Sequence, residues 1–420
     1  MVNPDLDLDD WFVSDGTRGA VMAAMIRHAA RDRLLAREAG RQTESWTLIG
    51  EALAVDEFLL RRAPGCLGLH AVEDWQAIPD TSLSIGPSAI ELCALAGLER
   101  SLTLPASESL FFPVSGLALS RPSADHVTIK SAPGLVEVKW ADSRGRIRVA
   151  NELGGEVQTE VSKTIRVHET GAFVRGVRVE QEAPVVGWFM PPATRMSPPP
   201  LSSENRLIIG LGIGILRECD EPLYEELVAM PLWVVPLVKA SKNAIESFTV
   251  AQIPAMAFAT VNDPLEYLHL LTHEFNHLRL YLLEESHLLA EDYDVSIRAP
   301  WRADSRKLRG FLHGLFVFDR VSEMFERVFS RWPASERGVK RLTVWRTCIE
   351  AALDELAGSE ARLTPVGKHL VERVATTNHR ALQDLRRGHS ATATWAERSV
   401  RQHMAKIGTA SVQEPSFLGV

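Results

Sequence analysis

The chain has 420 residues, 45% apolar and 24% charged, the balance of an ordinary water-soluble globular protein with room for roughly two or three packed units. Its formal net charge of −8 argues against a general nucleic-acid or anionic-membrane surface, since both reward clustered positive charge. The longest apolar runs, such as residues 207–216, are too short to span a bilayer, so no membrane partner is expected. Asp5, Asp7, Asp9 and Asp10 stand where a secretory signal would be basic. Cys66, Cys93, Cys219 and Cys348 have no metal-ligand or redox spacing, so they read as reduced thiols of a cytoplasmic protein.

In chain order, residues 17–63 carry helical stripes, with a second helix from about 43 to 62. Pro87-Ser88-Ala89-Ile90-Glu91-Leu92 starts a further helix over 86–99, and Gly97 marks its end. The character changes near residue 105. Segments 127–129, 136–140, 147–149, 164–168, 174–180 and 185–189 are short and β-rich, punctuated by turns at Ser143-Arg144-Gly145 and Thr170-Gly171. Residues 106–215 are therefore expected to form a small antiparallel β region, with 191–200 as a Pro-rich connector. Gly210-Leu211-Gly212-Ile213-Gly214 lacks the G-x-G-x-x-G spacing of a dinucleotide loop. From residue 221 the pattern is mainly helical, apart from an extended segment at 250–261. Helices are expected at about 306–331, 336–358, 365–388 and 393–406. The fold class predicted is α+β, mainly α. Its expected regions are an N-terminal helical part (1–105), the β part (106–215), a helical catalytic part (216–408) and a tail (409–420).

The most informative stretch is Thr272-His273-Glu274-Phe275-Asn276-His277, an H-E-x-x-H motif. Histidines four residues apart stand about 40° apart around a helix axis, so both can face one small ion, with Glu274 nearby to bind a water held by it. Asp263-Pro264-Leu265-Glu266 reads as the start of that helix, with Asp263 as N-cap. Leu268, Leu271, Phe275, Leu278 and Leu282 then recur at helical spacing and bury one face. A His, Glu and His together on an apolar helix need partners, which points to a metalloenzyme over satisfied core histidines.

Two histidines need a third protein ligand. Glu284 and His287 lie roughly 10 Å or more further along the same helix and cannot close on the same ion. Asp292 and Asp294 fall in a polar loop. His313, in Gly310-Phe311-Leu312-His313-Gly314-Leu315-Phe316, sits on a second apolar helix that can pack antiparallel against the first, and is favoured. Glu323 is the alternative and would give the His₂Glu set of zinc peptidases. His269, one turn before His273, reads as a supporting residue. The segment between the helices, Arg298-Ala299-Pro300-Trp301-Arg302-Ala303-Asp304-Ser305-Arg306-Lys307, gathers four cations around a proline and a tryptophan. It reads either as a solvated loop with Trp301 over the core or as an anion clamp, since arginine grips a carboxylate at two points.

Asp263-Pro264, Leu271 to His277, Ala299-Pro300-Trp301-Arg302 with Asp304 and Arg306, and Leu312-His313-Gly314 with Phe316 together resemble the HExxH motif-containing peptide-modification proteins of ribosomally synthesised, post-translationally modified peptide pathways. The resemblance covers residues 250–330 most strongly. It implies an iron(II)- and 2-oxoglutarate-dependent hydroxylase that uses O₂ to oxidise β-carbons of a ribosomal precursor peptide. It further implies His273, His277 and His313 as metal ligands, leaving three octahedral positions for 2-oxoglutarate and O₂. Arg302, with Arg306 second, would hold the distal carboxylate of 2-oxoglutarate. Glu274 would position water or substrate. An all-histidine set departs from the usual two-histidine, one-carboxylate pattern.

Two other readings stand beside this one. In a zinc metallopeptidase, Zn(II) would acidify a water and Glu274 would be the general base. In an inactive binding protein, peptide affinity would survive loss of Glu274. Residues 250–261 could lie along the cleft as an edge strand and hold a peptide by main-chain hydrogen bonds.

Overall fold

The computed structural model describes residues 85–180 with short breaks, 202–229, 233–237, 247–249 and 256–406 apart from 285–286, 303 and 360, together with positions 47, 48, 51, 52 and 55. The helices expected within 17–63 lie outside these residues except for helical Thr47, Leu48, Glu51, Ala52 and Val55. The strand expected at 185–189, the 191–200 connector and the 409–420 tail also lie outside them. The fold is α+β and mainly α, with eight named helices among the described residues. It divides into two compact units, one within Thr17–Ile213 and Glu225–Tyr267, the other within Gly214–Tyr224 and Leu268–Val420.

In the first unit, α1 (Ile85–Leu95) ends as its sequence requires. Gly97 adopts φ +71°, and the Leu98 N–H donates to the Cys93 carbonyl at 2.8 Å, closing a left-handed cap open to glycine. Helix α1 packs on strands β1 (Arg100–Pro105), β2 (Ser109–Phe112), β4 (His126–Ala132) and β5 (Leu135–Lys139). Strands β1, β4, β5, β6 (Arg144–Arg148) and β7 (Gln158–Val161) form an antiparallel sheet in the order β1-β4-β5-β6-β7. Its inward residues alternate, with Val127 and Ile129, Val136 and Val138, and Ile147 all buried, as a period of two dictates. The turn before β6 closes at Trp140–Ser143, so Arg144 and Gly145 belong to the strand and not to the expected turn. Strands β2, β3 (Leu117–Ser120) and β8 (Arg166–Glu169) form a smaller sheet.

A third sheet corrects the expected boundaries. Strands β9 (Gly171–Val174) and β10 (Val177–Glu180) continue through β11 (Trp233–Leu237), β13 (Met256–Thr260) and β12 (Ser247–Thr249), with β10–β11 and β11–β13 parallel. The β region is therefore not wholly antiparallel, and it does not end at 215. Helix α2 (Ser203–Cys219) begins inside the span read as β and runs past its end at 215, with Ser202 accepting from the Asn205 N–H at 3.1 Å as its cap. Gly210, Gly212 and Gly214 are helical residues, which removes any phosphate-loop reading. Helix α3 (Glu221–Ala229) follows. Strand β13 is paired on both sides, to β11 along its length and to β12 at 257–259. Its main-chain groups are thus taken, and the expected peptide-holding edge at 250–261 is not there in the described part.

The second unit carries the H-E-x-x-H helix, α4 (Pro264–Glu284), from Leu268 on. Asp263 caps that helix as expected, its Oδ1 accepting from the Leu265 and Glu266 N–H groups at 3.0 Å each. A hairpin of β14 (Ser296–Arg298) and β15 (Ser305–Lys307) leads into α5 (Leu308–Arg331). Helices α6 (Glu336–Ala357), α7 (Pro365–Gly388) and α8 (Ser390–Lys406) complete it. Helix α5 packs on α6 and α7, α6 packs also on α7 and α8, and the hairpin lies on α5 and α6. Among the described residues, no helix is long and apolar enough to cross a membrane.

Candidate metal centre

Helix α4 carries four rings at four-residue spacing: His269, His273, His277 and Tyr281. A step of four residues turns about 40°, so the rings climb one face as a stripe. Successive centroids lie 6.1, 4.9 and 6.3 Å apart. Helix α5 brings His313 against this stripe. Its ring lies 5.5 Å from His277 and nearly parallel to it, and 4.7 Å from Tyr281. The Nδ1 atoms of His277 and His313 stand 3.3 Å apart.

That separation has a physical reading. Two imidazole nitrogens bound to one ion at ~2.0–2.1 Å lie ~2.9 Å from each other in adjacent octahedral positions and ~3.3 Å in a tetrahedral set. The pair therefore has the spacing of two ligands of a single metal. The third histidine departs from expectation. His273 adjoins His277 by its ring, but among the described residues no group of three or more His, Cys, Asp or Glu side chains is arranged to hold a metal ion. Two of the three expected nitrogens converge, with His273 alongside.

The protonation state suits ligation. Burial, and then the charge of His269, pushes His273 down to about 3. Burial, followed by the neighbouring His273 and His313, lowers His277 well below the ordinary imidazole range. Both are neutral near pH 7, the form a metal binds.

Glu284 lies beyond the histidines on the same helix. Seven residues after His277, it returns to the same face two turns on. Its side chain is 5% exposed, and Oε2 stands 3.0 Å from His313 Nε2. Arg309 Nε also donates to Oε2, at 2.8 Å, and the Tyr293 hydroxyl donates to Oε1 at 2.8 Å. Burial alone would raise this carboxyl, but the hydrogen bonds from His313, Tyr293 and Arg309 outweigh it and hold it below its ordinary value. Sequence reasoning set Glu284 aside as too far away to be a ligand. The seven-residue spacing was the signal that it shares the ligand face and can reach a residue that docks there.

The remaining expected residues separate clearly. Glu323 pairs with Arg320 on its own helix, ten residues beyond His313 and roughly 15 Å along the axis, and so does not take the third place. His269 receives the Arg341 guanidinium on Nδ1 at 2.9 Å and lies 4.9 Å from the Trp345 ring, a supporting position as expected. Glu274 is 2% exposed, enclosed one residue after His273.

Three of the four cations of the basic segment are engaged by carboxylates. Arg298 holds Glu355 through two nitrogens at 2.6 and 2.8 Å, Lys307 meets Asp294 at 3.1 Å, and Arg302 meets Asp304 at 2.6 Å. The Arg302 side chain is 42% exposed, so the leading choice for an anion clamp has its guanidinium on a neighbouring carboxylate. Arg306 differs. It faces Ile297 across the hairpin, sharing its buried side, while Ser305 and Lys307 point outward. Among the described residues, no carboxylate approaches its guanidinium within 4.0 Å, and burial followed by the charge of Arg302 lowers its proton affinity. Trp301 is buried, its ring 5.1 Å from Phe318, whose own ring is 5.7 Å from His273. The hairpin tip is thereby keyed into the wall of the histidine cluster.

Comparison with protein-family models and with curated proteins finds no match.

Proposed function

We propose that this protein is a metal-dependent enzyme that modifies a ribosomally made precursor peptide in the cytoplasm, by iron(II)- and 2-oxoglutarate-dependent hydroxylation of a side chain. The observation that carries the metal is the 3.3 Å separation of His277 Nδ1 and His313 Nδ1, between enclosed rings and backed by Glu284. His277 and His313 would hold the ion, with His273 turning in as the third ligand. Bound there with 2-oxoglutarate, iron(II) would supply the chemistry that puts one oxygen atom of O₂ into a C–H bond of the peptide.

The chain's own groups do the rest. Arg306, inward-facing and without a close carboxylate, is assigned to the distal carboxylate of 2-oxoglutarate, with Arg302 as the outer cation. Trp301, Phe318 and the apolar faces of α4 and α5 exclude bulk water from the histidines. Glu274 orients the substrate side of the site without itself reacting. The iron reading draws its support from the basic hairpin, which hydrolysis has no evident need for.

The test is mass spectrometry of a candidate precursor peptide incubated with the protein, iron(II), ascorbate and 2-oxoglutarate, beside metal analysis of protein purified without chelators. A gain of one oxygen atom that requires 2-oxoglutarate is expected. Peptide cleavage with zinc bound would overturn it in favour of a metallopeptidase with Glu274 as general base. Peptide binding with no product under either regime would leave only an escort function.

A further inference from the structure

We infer that Glu284 is the positioning residue of this centre: it fixes which nitrogen of His313 faces the metal. The inference rests on the metal reading above and names the part that a residue outside the H-E-x-x-H motif plays in it.

An imidazole has two nitrogens, and in the neutral ring only the one without a proton can ligate. His313 Nε2 is 3.0 Å from Glu284 Oε2, while His313 Nδ1 faces His277 Nδ1 at 3.3 Å. Glu284 already accepts from Arg309 on Oε2 and from Tyr293 on Oε1, so it is an ionised carboxylate with nothing to donate. Nε2 must therefore carry a proton, and in the neutral ring, the form a metal binds, the lone pair is left on Nδ1, toward His277. The carboxylate sits opposite the ligand atom, where it also makes the ring a stronger donor.

The carboxylate is itself held in place. The Tyr293 hydroxyl that donates to Oε1 accepts from the Leu289 N–H at 2.9 Å, which ties Glu284 to the backbone just beyond α4. The Arg309 guanidinium that donates to Oε2 lies over the Tyr281 ring at 5.5 Å, and that ring touches His313. Glu284 thus cannot swing away without breaking contacts to three residues, Tyr293 in the loop after α4 and Arg309 and His313 on α5. Without it, the His313 ring can take the other tautomer, which puts the proton on Nδ1, or flip, which turns Nδ1 away, and either change removes the lone pair from the metal side.

The experiment uses the full chain without added metal, then titrated with Co(II) and Zn(II) against a chromophoric chelator. The variants are Glu284→Gln, Tyr293→Phe and His313→Ala. Glu284→Gln should weaken metal binding by about 10–100-fold, the usual effect of losing such a partner. Tyr293→Phe removes only the Oε1 contact and should change it by less than about 3-fold, on the same scale. His313→Ala should abolish the site. Histidine side-chain NMR of the metal-free wild type reads the tautomer directly and needs no variant to fold; His313 should be protonated at Nε2 alone. Wild-type metal affinity unchanged in Glu284→Gln, or a His313 proton on Nδ1, would overturn the inference while leaving the metal reading intact. A wild type that binds neither ion, or binds equally well without His313, would instead sink the metal reading itself.

Discussion

The indole of Trp301 lies where a side chain at position 314 would project. A Cβ built on Gly314 would stand 2.6 to 2.9 Å from three atoms of that ring, closer than packed carbon atoms come. This contact explains why a glycine follows His313 in the middle of a buried helix, where it costs about 1 kcal/mol relative to alanine. The ring stacks along α5, 5.5 Å from Phe311 and 5.1 Å from Phe318, and Phe318 meets His273. The Pro300 carbonyl accepts from the Cys348 thiol at 3.8 Å, which pins the segment from its other side.

Gly314→Ala should therefore destabilise the protein by about 1–3 kcal/mol, the usual cost of overpacking, despite the better helix propensity of alanine. Gly310 supplies the control. It lies on the same helix with nothing within 4 Å of a built Cβ, so Gly310→Ala should be neutral or stabilising by up to about 1 kcal/mol. Denaturant melts of the two variants, with the emission of Trp301 followed in Gly314→Ala, read the difference. Equal effects of the two substitutions would remove the packing account.

Asp263 offers a second, independent check on the helix that carries the motif. Its carboxylate accepts from the Leu265 and Glu266 N–H groups, the first two of α4, since Pro264 has none. Asp263→Ala should cost about 1 kcal/mol, and Asp263→Asn or Ser should recover most of it, because either keeps a side-chain acceptor. Loss of more than about 2 kcal/mol would mean that Asp263 does more than cap.

The legible parts of this chain share a physical cause. Residues 365–388 were bounded correctly because Thr364 caps that helix and Pro365 opens it, signals that act locally, and it runs to Gly388 with His389 as its C-cap. The H-E-x-x-H pair follows from helical spacing alone, and His313 stood out as a histidine in an apolar run. What was not legible depends on distant partners. Strand β7 has mostly exposed residues and exists through its register with β6. Strand β11 contains Pro236, which argues against an inner strand. Among the described residues, β10 pairs only with Trp233 and Val234 and stops short of the proline, which has no N–H to give to a ladder. Helix α2 was hidden by three glycines. The part Glu284 plays required knowing that Tyr293 from the loop after α4 and Arg309 and His313 from α5 meet on one carboxylate.

Acid should weaken the protein through the buried histidines His273 and His277. His273 titrates near 3 when folded because burial disfavours its charge, against about 6.5 when unfolded. Between these values the unfolded chain binds a proton that the folded one does not, so stability is full above about pH 6.5 and falls as pH drops toward 3. The slope is at most about 1.4 kcal/mol per pH unit for this residue, roughly 2 kcal/mol by pH 5. His277 shifts in the same direction and adds to it. Denaturant melts at pH 7, 6 and 5 should show the decline, and His273→Gln should flatten it. A wild-type profile flat from pH 7 to 5 would contradict the burial of these rings.

The last prediction separates the two arginines of the hairpin. Arg302 has its Nε on Asp304 and is substantially exposed, whereas Arg306 turns inward beside Ile297 with no carboxylate within 4.0 Å among the described residues. An incoming dicarboxylate would give Arg306 the partner it lacks, while binding to Arg302 would have to compete with Asp304. A hydrogen-bonded charge pair is worth about 1.5–3 kcal/mol, so Arg306→Ala should raise the 2-oxoglutarate concentration needed for half-maximal turnover by about 10–100-fold. Metal content should stay near that of the wild type. Arg306→Lys should recover only part of the loss, because an ammonium cannot reproduce the planar two-point fork. Arg302→Ala should shift the requirement by no more than about 3-fold, the effect of an exposed charge near the site. Titrating 2-oxoglutarate at saturating peptide measures all three variants. The reverse order would return the clamp to Arg302, and no change in either variant would leave the hairpin a structural cover with no part in binding the cosubstrate.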